Sequence, residues 1–280
     1  MAYFESTHAY WTFAEYVKGQ ARHILDASSN RFLETVKSTS EKRRGVINVD
    51  TRLWRAQVGH TLRAPDAFEH EGSIVSLDER PFPWPIERMK PLSNRAVEGR
   101  VNAKGIPCLY LSTEKDTAIA ETRPWIGSYV SVAEFAVLRD LNIVDCSIDV
   151  EAPRVYFLED NAPPAQREKD VWWYINKAFS VPITREDDVA DYAPTQILAE
   201  SFRAYGYDGI VYGSLLGPGK TVAIFDLAAA EVANCALHRV HGVKLDCRYE
   251  MEQYISEKYA THLNTKERNL SVIVPYPAKD

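Results

Sequence analysis

The sequence predicts an α+β fold, and three features lead to that class. Residues 1–45 carry aromatic and aliphatic side chains at helical spacing. From Val46 onward the texture changes to short strand-like runs separated by loops. Helical segments then recur among those strands in a mixed order, which suits an α+β layering.

Each element has a local cause. "HAYWTFAEYVKGQARHIL" places Trp11, Phe13, Tyr16, Val17 and Ile24 on a helical repeat. "SSNRFLETVKSTSEKRR" follows, with Ser28 or Ser29 as a candidate N-cap and Phe32, Leu33 and Val36 as its apolar stripe. Two such helices would pack as a hairpin. "INVDTRLWRAQVG" has β-type residues ending at a glycine. Residues 60–95 are rich in proline and charge, as in "RPFPWPIERMKP", and predict a long ordered loop over helix or strand.

"IPCLYLS" reads as a buried strand, and "TEKDTAIAETRPW" as a helix with Thr113 as cap and Pro124 as its stop. "YVSVAEFAVL" and "LNIVDCS" read as strands, and "DVWWYINKAFSVPI" as a helix under the sheet. "YAPTQILAESFRAYG" is a helix with Pro194 near its start and Gly206 as its stop. "YDGIVYGS" is the next strand, and "MEQYISEKYATHL" predicts a C-terminal helix. The expected division is a helical extension over 1–45, a core over 46–235 and a second helical extension over 236–280.

Bulk composition narrows the function. Of 280 residues, 45% are hydrophobic and 26% charged, the balance of an ordinary globular protein. A net charge of −6 argues against direct nucleic-acid binding but leaves room for a local basic patch. The absence of an apolar run of membrane-spanning length, and of a secretory pattern at the N-terminus, points to a cytoplasmic location. Cys108, Cys146, Cys235 and Cys247 lack CxxC spacing, and the histidines form no HxxxH pair, so no metal site is expected.

"YGSLLGPGKTVAIFD" raises the possibility of a phosphate-binding P-loop, because Lys220 and Thr221 follow Gly219. Counting back five positions from Gly219 gives Ser214, where that motif needs a glycine. The residues after the lysine, Val222 to Phe225, look like a strand, whereas a P-loop opens a helix. A strand, a glycine turn and a second strand are therefore expected.

Four polar residues sit at element ends among apolar neighbours: Arg55 in "RLWRA", Tyr110 in "CLYLS", Glu121 in "AIAETRPW" and Ser214 in "GIVYGS". Each has a plain structural alternative: an internal ion pair, a core aromatic, a helix acid and a turn residue. Converging on one cleft, they would suit an anionic, aromatic ligand with a ribose hydroxyl.

The blocks "LWRA", "GRVNAKGIPCLYLSTEKDTAIAET" and "YAPTQILAESFRAYGYDGIVYGSLLGPGKTVAIFD" resemble the RES domain, named for its Arg, Glu and Ser. The resemblance runs from about Arg52 to Asp226 and leaves both ends of the chain outside it. It implies a split-sheet fold similar to ADP-ribosyltransferases and a toxin that degrades NAD. Carried over by position, the catalytic residues are Arg55, Tyr110, Glu121 and Ser214, with Arg52 a rival to Arg55.

Arg100, Asn102, Gly217 and Gly219 would contribute to substrate binding; Val101 departs from the aromatic that usually follows "GR" in compact members. The resemblance further implies NAD as substrate, with phosphate or water as acceptor and no true cofactor. It also implies an antitoxin partner with a helix-turn-helix domain. Transfer of ADP-ribose to a protein, or a non-catalytic interaction module, are the competing readings.

Overall fold

The computed structural model describes residues 3–64, 68–70, 73–75, 78–92, 95–148, 162–181, 189–244 and 247. Chain contacts group Met1–Val243 into one unit and Lys244–Asp280 into a second. The helix expected over 251–263 lies outside the described residues.

Helix α1 (Ala9–Gly19) and helix α2 (Ala27–Ser40) open the chain as expected, but α1 stops well before Leu25, and Ile24 lies beyond it, exposed. The cap of α2 differs from expectation: Asp26 accepts from the Ser29 amide at 2.7 Å, so the serines lie inside the first turn. Strands β1 (Arg44–Ile47) and β2 (Arg52–Val58) follow. The proline-rich stretch is not all loop. It holds β3 (Thr61–Arg63) paired with β6 (Arg80–Phe82), β4 (Phe68–His70) paired with β5 (Ser73–Val75), and a 3-10 turn, Ile86–Met89. Pro81 is tolerated there because a two-stranded ribbon leaves one edge of each strand unpaired.

Next come β7 (Leu109–Ser112), helix α3 (Lys115–Glu121), β8 (Tyr129–Val137) and β9 (Leu141–Asp145). Thr113 does not cap α3; its hydroxyl accepts from the Lys220 amide at 2.9 Å instead. Helix α4 (Pro164–Ser180) starts on a proline, and helix α5 (Ala193–Ala204) has Pro194 in its first turn. Gly206, at φ 88°, takes the left-handed turn that ends α5. Strands β10 (Gly209–Gly213) and β11 (Lys220–Ile224) form the expected hairpin, and β12 (Ala230–Arg239) closes the order. The last strand carries alanine, asparagine and glutamate where β-formers are usual, which hides it from a propensity reading.

One eight-stranded sheet results, in the order β1-β9-β10-β11-β7-β2-β8-β12. Its middle is thin. Strands β2 and β8 are matched at seven residue pairs, and β11 and β7 at four, yet β7 and β2 meet only at Ser112 and Trp54. The sheet is thus nearly divided into two halves.

Two apolar clusters follow from strand alternation. One packs Ile210, Tyr212 and Ala223 of the sheet against α1, α2, α4 and α5 through Phe13, Phe32, Trp172 and Phe202. The other joins both halves of the sheet, with Leu53 and Phe135 from one and Leu111, Val211 and Val222 from the other. The N-terminal helices belong to the first cluster: Phe13 stacks on Phe32 at 4.7 Å, and Trp172 Nε1 donates to Thr39 Oγ1 at 3.1 Å. Among the described residues, no helix is long and apolar enough to cross a membrane.

Replacing Phe13 by Ala removes a fully buried ring from the seat of α1. A loss of about 3–5 kcal/mol is expected in urea unfolding of the full chain. An unchanged midpoint would mean that the N-terminal helices do not contribute to the stability of the sheet.

Candidate active site

The near-division of the sheet creates the site. Where β7 and β2 part after their single pair, a cavity of about 480 Å³ opens, and Arg55, Arg100, Tyr110, Glu121, Arg123 and Tyr212 line it. Three arginines and a single carboxylate line it, in a chain that is acidic overall. That local excess of positive charge, beside aromatic rings, suits an anionic ligand with a flat base.

Strand alternation decides between the two candidate arginines. Arg52 and Arg55 are three residues apart on β2 and so point to opposite faces. Arg55 lines the cavity, while Arg52 is exposed and takes no part in its wall. One guanidinium nitrogen of Arg55 donates to the Met89 carbonyl in the 3-10 turn. Burial pulls its pKa down to about 10, which still leaves it charged at neutral pH.

Tyr110 presents its ring, because its hydroxyl is already engaged. The oxygen donates to Asn102 Oδ1 at 2.7 Å and accepts from the Val101 amide at 3.0 Å. A side chain at Gly99 would stand 2.7 Å from that hydroxyl, so only glycine fits there. Burial pushes the phenol well above its ordinary value and keeps it protonated. Asn102 is itself buried and lies outside this cavity; its amide donates to the Val97 and Ile106 carbonyls at 2.9 and 2.8 Å.

Glu121 ends α3 at the mouth of the cavity, in an exposed position. Ser214, at the end of β10, donates to Glu121 Oε1 at 2.6 Å and accepts from the Leu216 amide at 3.1 Å. The serine thereby fixes the direction of the carboxylate. The loop after it is clamped to the same helix: the Gly219 amide donates to Thr117 Oγ1 at 3.0 Å. A Cβ on Gly217 would lie 2.4 Å from that oxygen, and one on Gly219 would lie 2.9 Å from the Glu114 side chain. Both glycines therefore allow close approach to α3, and neither lines the cavity. Lys220 points elsewhere, to Asp145 Oδ2 at 3.0 Å, and β11 is a strand, so the P-loop geometry is absent.

Arg100 lies deeper. Its guanidinium donates to the Phe179 carbonyl at 2.8 Å and the Ala178 carbonyl at 3.3 Å, at the end of α4. Burial lowers its pKa, and the neighbouring Tyr212, Tyr192 and Glu121 partly offset that pull. The structure thus places Arg55, Arg100, Tyr110 and Glu121 around one cavity, ties Ser214 to it through Glu121, and leaves Arg52 out. Trp54, Arg123, Ser180 and Tyr212 were not anticipated. Arg123 escaped notice because its approach depends on a left-handed backbone turn, φ 46°, just after α3.

The RES domain family matches residues 52–248, which is well over half of the chain. No curated protein shows significant similarity to it. Among solved structures, the crystal structure of the M. tuberculosis MbcT-MbcA toxin-antitoxin complex is similar, at 13% identity and a TM-score of 0.36. The likeness covers 73% of this chain and 92% of that one.

A Tyr110→Phe variant keeps the ring but leaves Asn102 Oδ1 and the Val101 amide unpartnered. Stability should fall by about 1–3 kcal/mol, measured by urea unfolding. No loss would mean that the hydroxyl is not the anchor of this turn.

Proposed function

The chain belongs to the RES domain family, and from that membership and the geometry of the cleft we propose an enzyme that breaks the nicotinamide–ribose bond of NAD. One observation carries the reading: a carboxylate oriented by a serine, Glu121 and Ser214, shares one cavity with Arg55, Arg100 and Arg123. The guanidiniums of Arg55, Arg100 and Arg123 suit the pyrophosphate, whose paired oxygens match a planar fork of donors. The rings of Tyr110 and Tyr212 offer apolar walls for a base.

Cleavage sends the bonding electrons to nicotinamide, which leaves neutral, and positive charge develops on the ribose. A fixed carboxylate stabilises that charge more in the transition state than in the bound substrate. Ser214 contributes by holding Glu121 in place before the charge appears. An acceptor oxygen then bonds to the ribose carbon. Water yields ADP-ribose and releases a proton; phosphate yields ADP-ribose 1″-phosphate.

An unrestrained enzyme of this kind would empty its host of NAD. We therefore extend the proposal to a cytoplasmic toxin held in check by an antitoxin with a helix-turn-helix domain.

Incubating the purified protein with NAD, with and without phosphate, tests the reaction and separates the two acceptors. Glu121→Gln should lower kcat by about 100-fold or more, as expected for loss of a group that acts on developing charge. NAD left intact by the parent protein under every condition would overturn the proposal. Label from NAD appearing on a protein band would replace hydrolysis or phosphorolysis with ADP-ribosyl transfer.

A further inference from the structure

Arg100 stands on a short turn that spans residues 99–102, and a residue outside the cavity holds both ends of that turn. The side-chain amide of Gln196, on α5, donates from Nε2 to the Gly99 carbonyl at 2.9 Å and to the Asn102 carbonyl at 3.1 Å. The Gly99 amide also donates to the Asn102 carbonyl at 2.9 Å, closing the turn on itself. On the far side, the Val101 amide donates to Tyr110 Oη. Gln196 therefore holds both ends of the turn, and Tyr110 holds its middle.

The choice of side chain is chemically specific. Bridging two carbonyls from one neutral atom takes an NH₂ group, which only glutamine and asparagine carry. Glutamine has the longer reach. Helix α5 is a rigid platform for it, because Leu198, Ala199 and Phe202 are buried in the core shared with α4. The same core seats Phe179, whose carbonyl receives the Arg100 guanidinium.

We infer that Gln196 is a positioning residue for substrate binding, acting through the 99–102 turn to aim Arg100 into the cleft. The inference rests on the proposed function only in taking Arg100 as a contact for the substrate's pyrophosphate. Gln196 does not line the cavity and touches no reacting atom. Its loss should weaken ground-state and transition-state binding alike, which is a KM effect.

Two variants of the full chain test this. Gln196→Glu keeps the shape but turns a donor toward the carbonyls into an acceptor, and Gln196→Leu removes the donor without adding charge. In both, KM for NAD should rise about tenfold with kcat within about twofold of the parent. In an Arg100→Ala background, the same substitutions should change KM by less than about twofold, because the residue they act through is gone. Effects that multiply in the double variant would overturn the inference.

Amide hydrogen exchange supplies a readout independent of catalysis. In either Gln196 variant, the Gly99 and Val101 amides should exchange about tenfold faster, while the β10 and β11 amides keep their parental rates. Unaltered exchange at Gly99 and Val101 would overturn the inference even if KM changed. A parent protein that leaves NAD intact would overturn the functional reading alone, and the exchange rates would still decide the role of Gln196.

Discussion

Among the described residues, Trp54 and Ser112 form the one ladder pair that joins the two halves of the sheet, and the rest of the architecture depends on how little that joint holds. A fully laddered β2–β7 seam would bury its backbone groups against each other and leave no room for a ligand. A seam with no pair at all would let the halves drift, since each backbone donor there would have to find water. One pair, backed by the apolar cluster that contains residues from both halves, keeps the halves in register while the strands diverge beside it. Arg55 and Tyr110 reach the opening from opposite sides of this joint.

Around that opening, most polar atoms serve the framework. The hydroxyl of Tyr110, the amide of Asn102, the hydroxyl of Thr117 and the amide of Gln196 are engaged by neighbouring residues. Their hydrogen bonds fix the turn at 99–102 and the loop at 214–219 at the two flanks of the cleft. The charged residues Arg55, Arg100 and Glu121 line the cavity while themselves held by Met89, Phe179 and Ser214, with aromatic rings between. Groups already held in place need little reorganisation when a ligand arrives, and such preorganisation is where electrostatic catalysis gains its strength.

Much of this was legible in the sequence. Helices α2 and α5 appear within a few residues of their expected limits, whereas α1 stops well before Leu25, and the hairpin at 209–224 follows from two β-rich runs around a glycine turn. The ordered blocks around Arg55, Tyr110, Glu121 and Ser214 marked residues that do meet in space. Capping was harder, because Asp26 and Ser28 are equally good caps by type and only the path of the chain selects one. Strand β12 is an edge whose stability comes from its nine matched pairs with β8, an interaction that local composition does not encode. The resemblance implied that Gly217 and Gly219 approach a ligand; the fold also needs them for close approach to α3, a demand that only the tertiary packing reveals.

The segment matched by the family begins at Arg52, inside the compact unit and not at its border. Cutting there would strip β1 from the side of β9 and leave that ladder open along Leu141–Val144. It would also uncover Trp172 and Tyr207, which α2 meets through Thr39 and Ser40. A bare ladder beside a wet aromatic surface favours self-association. The packed unit of this protein is therefore larger than its family signature, since β1 and the two leading helices cover sheet edge and core that the signature leaves bare.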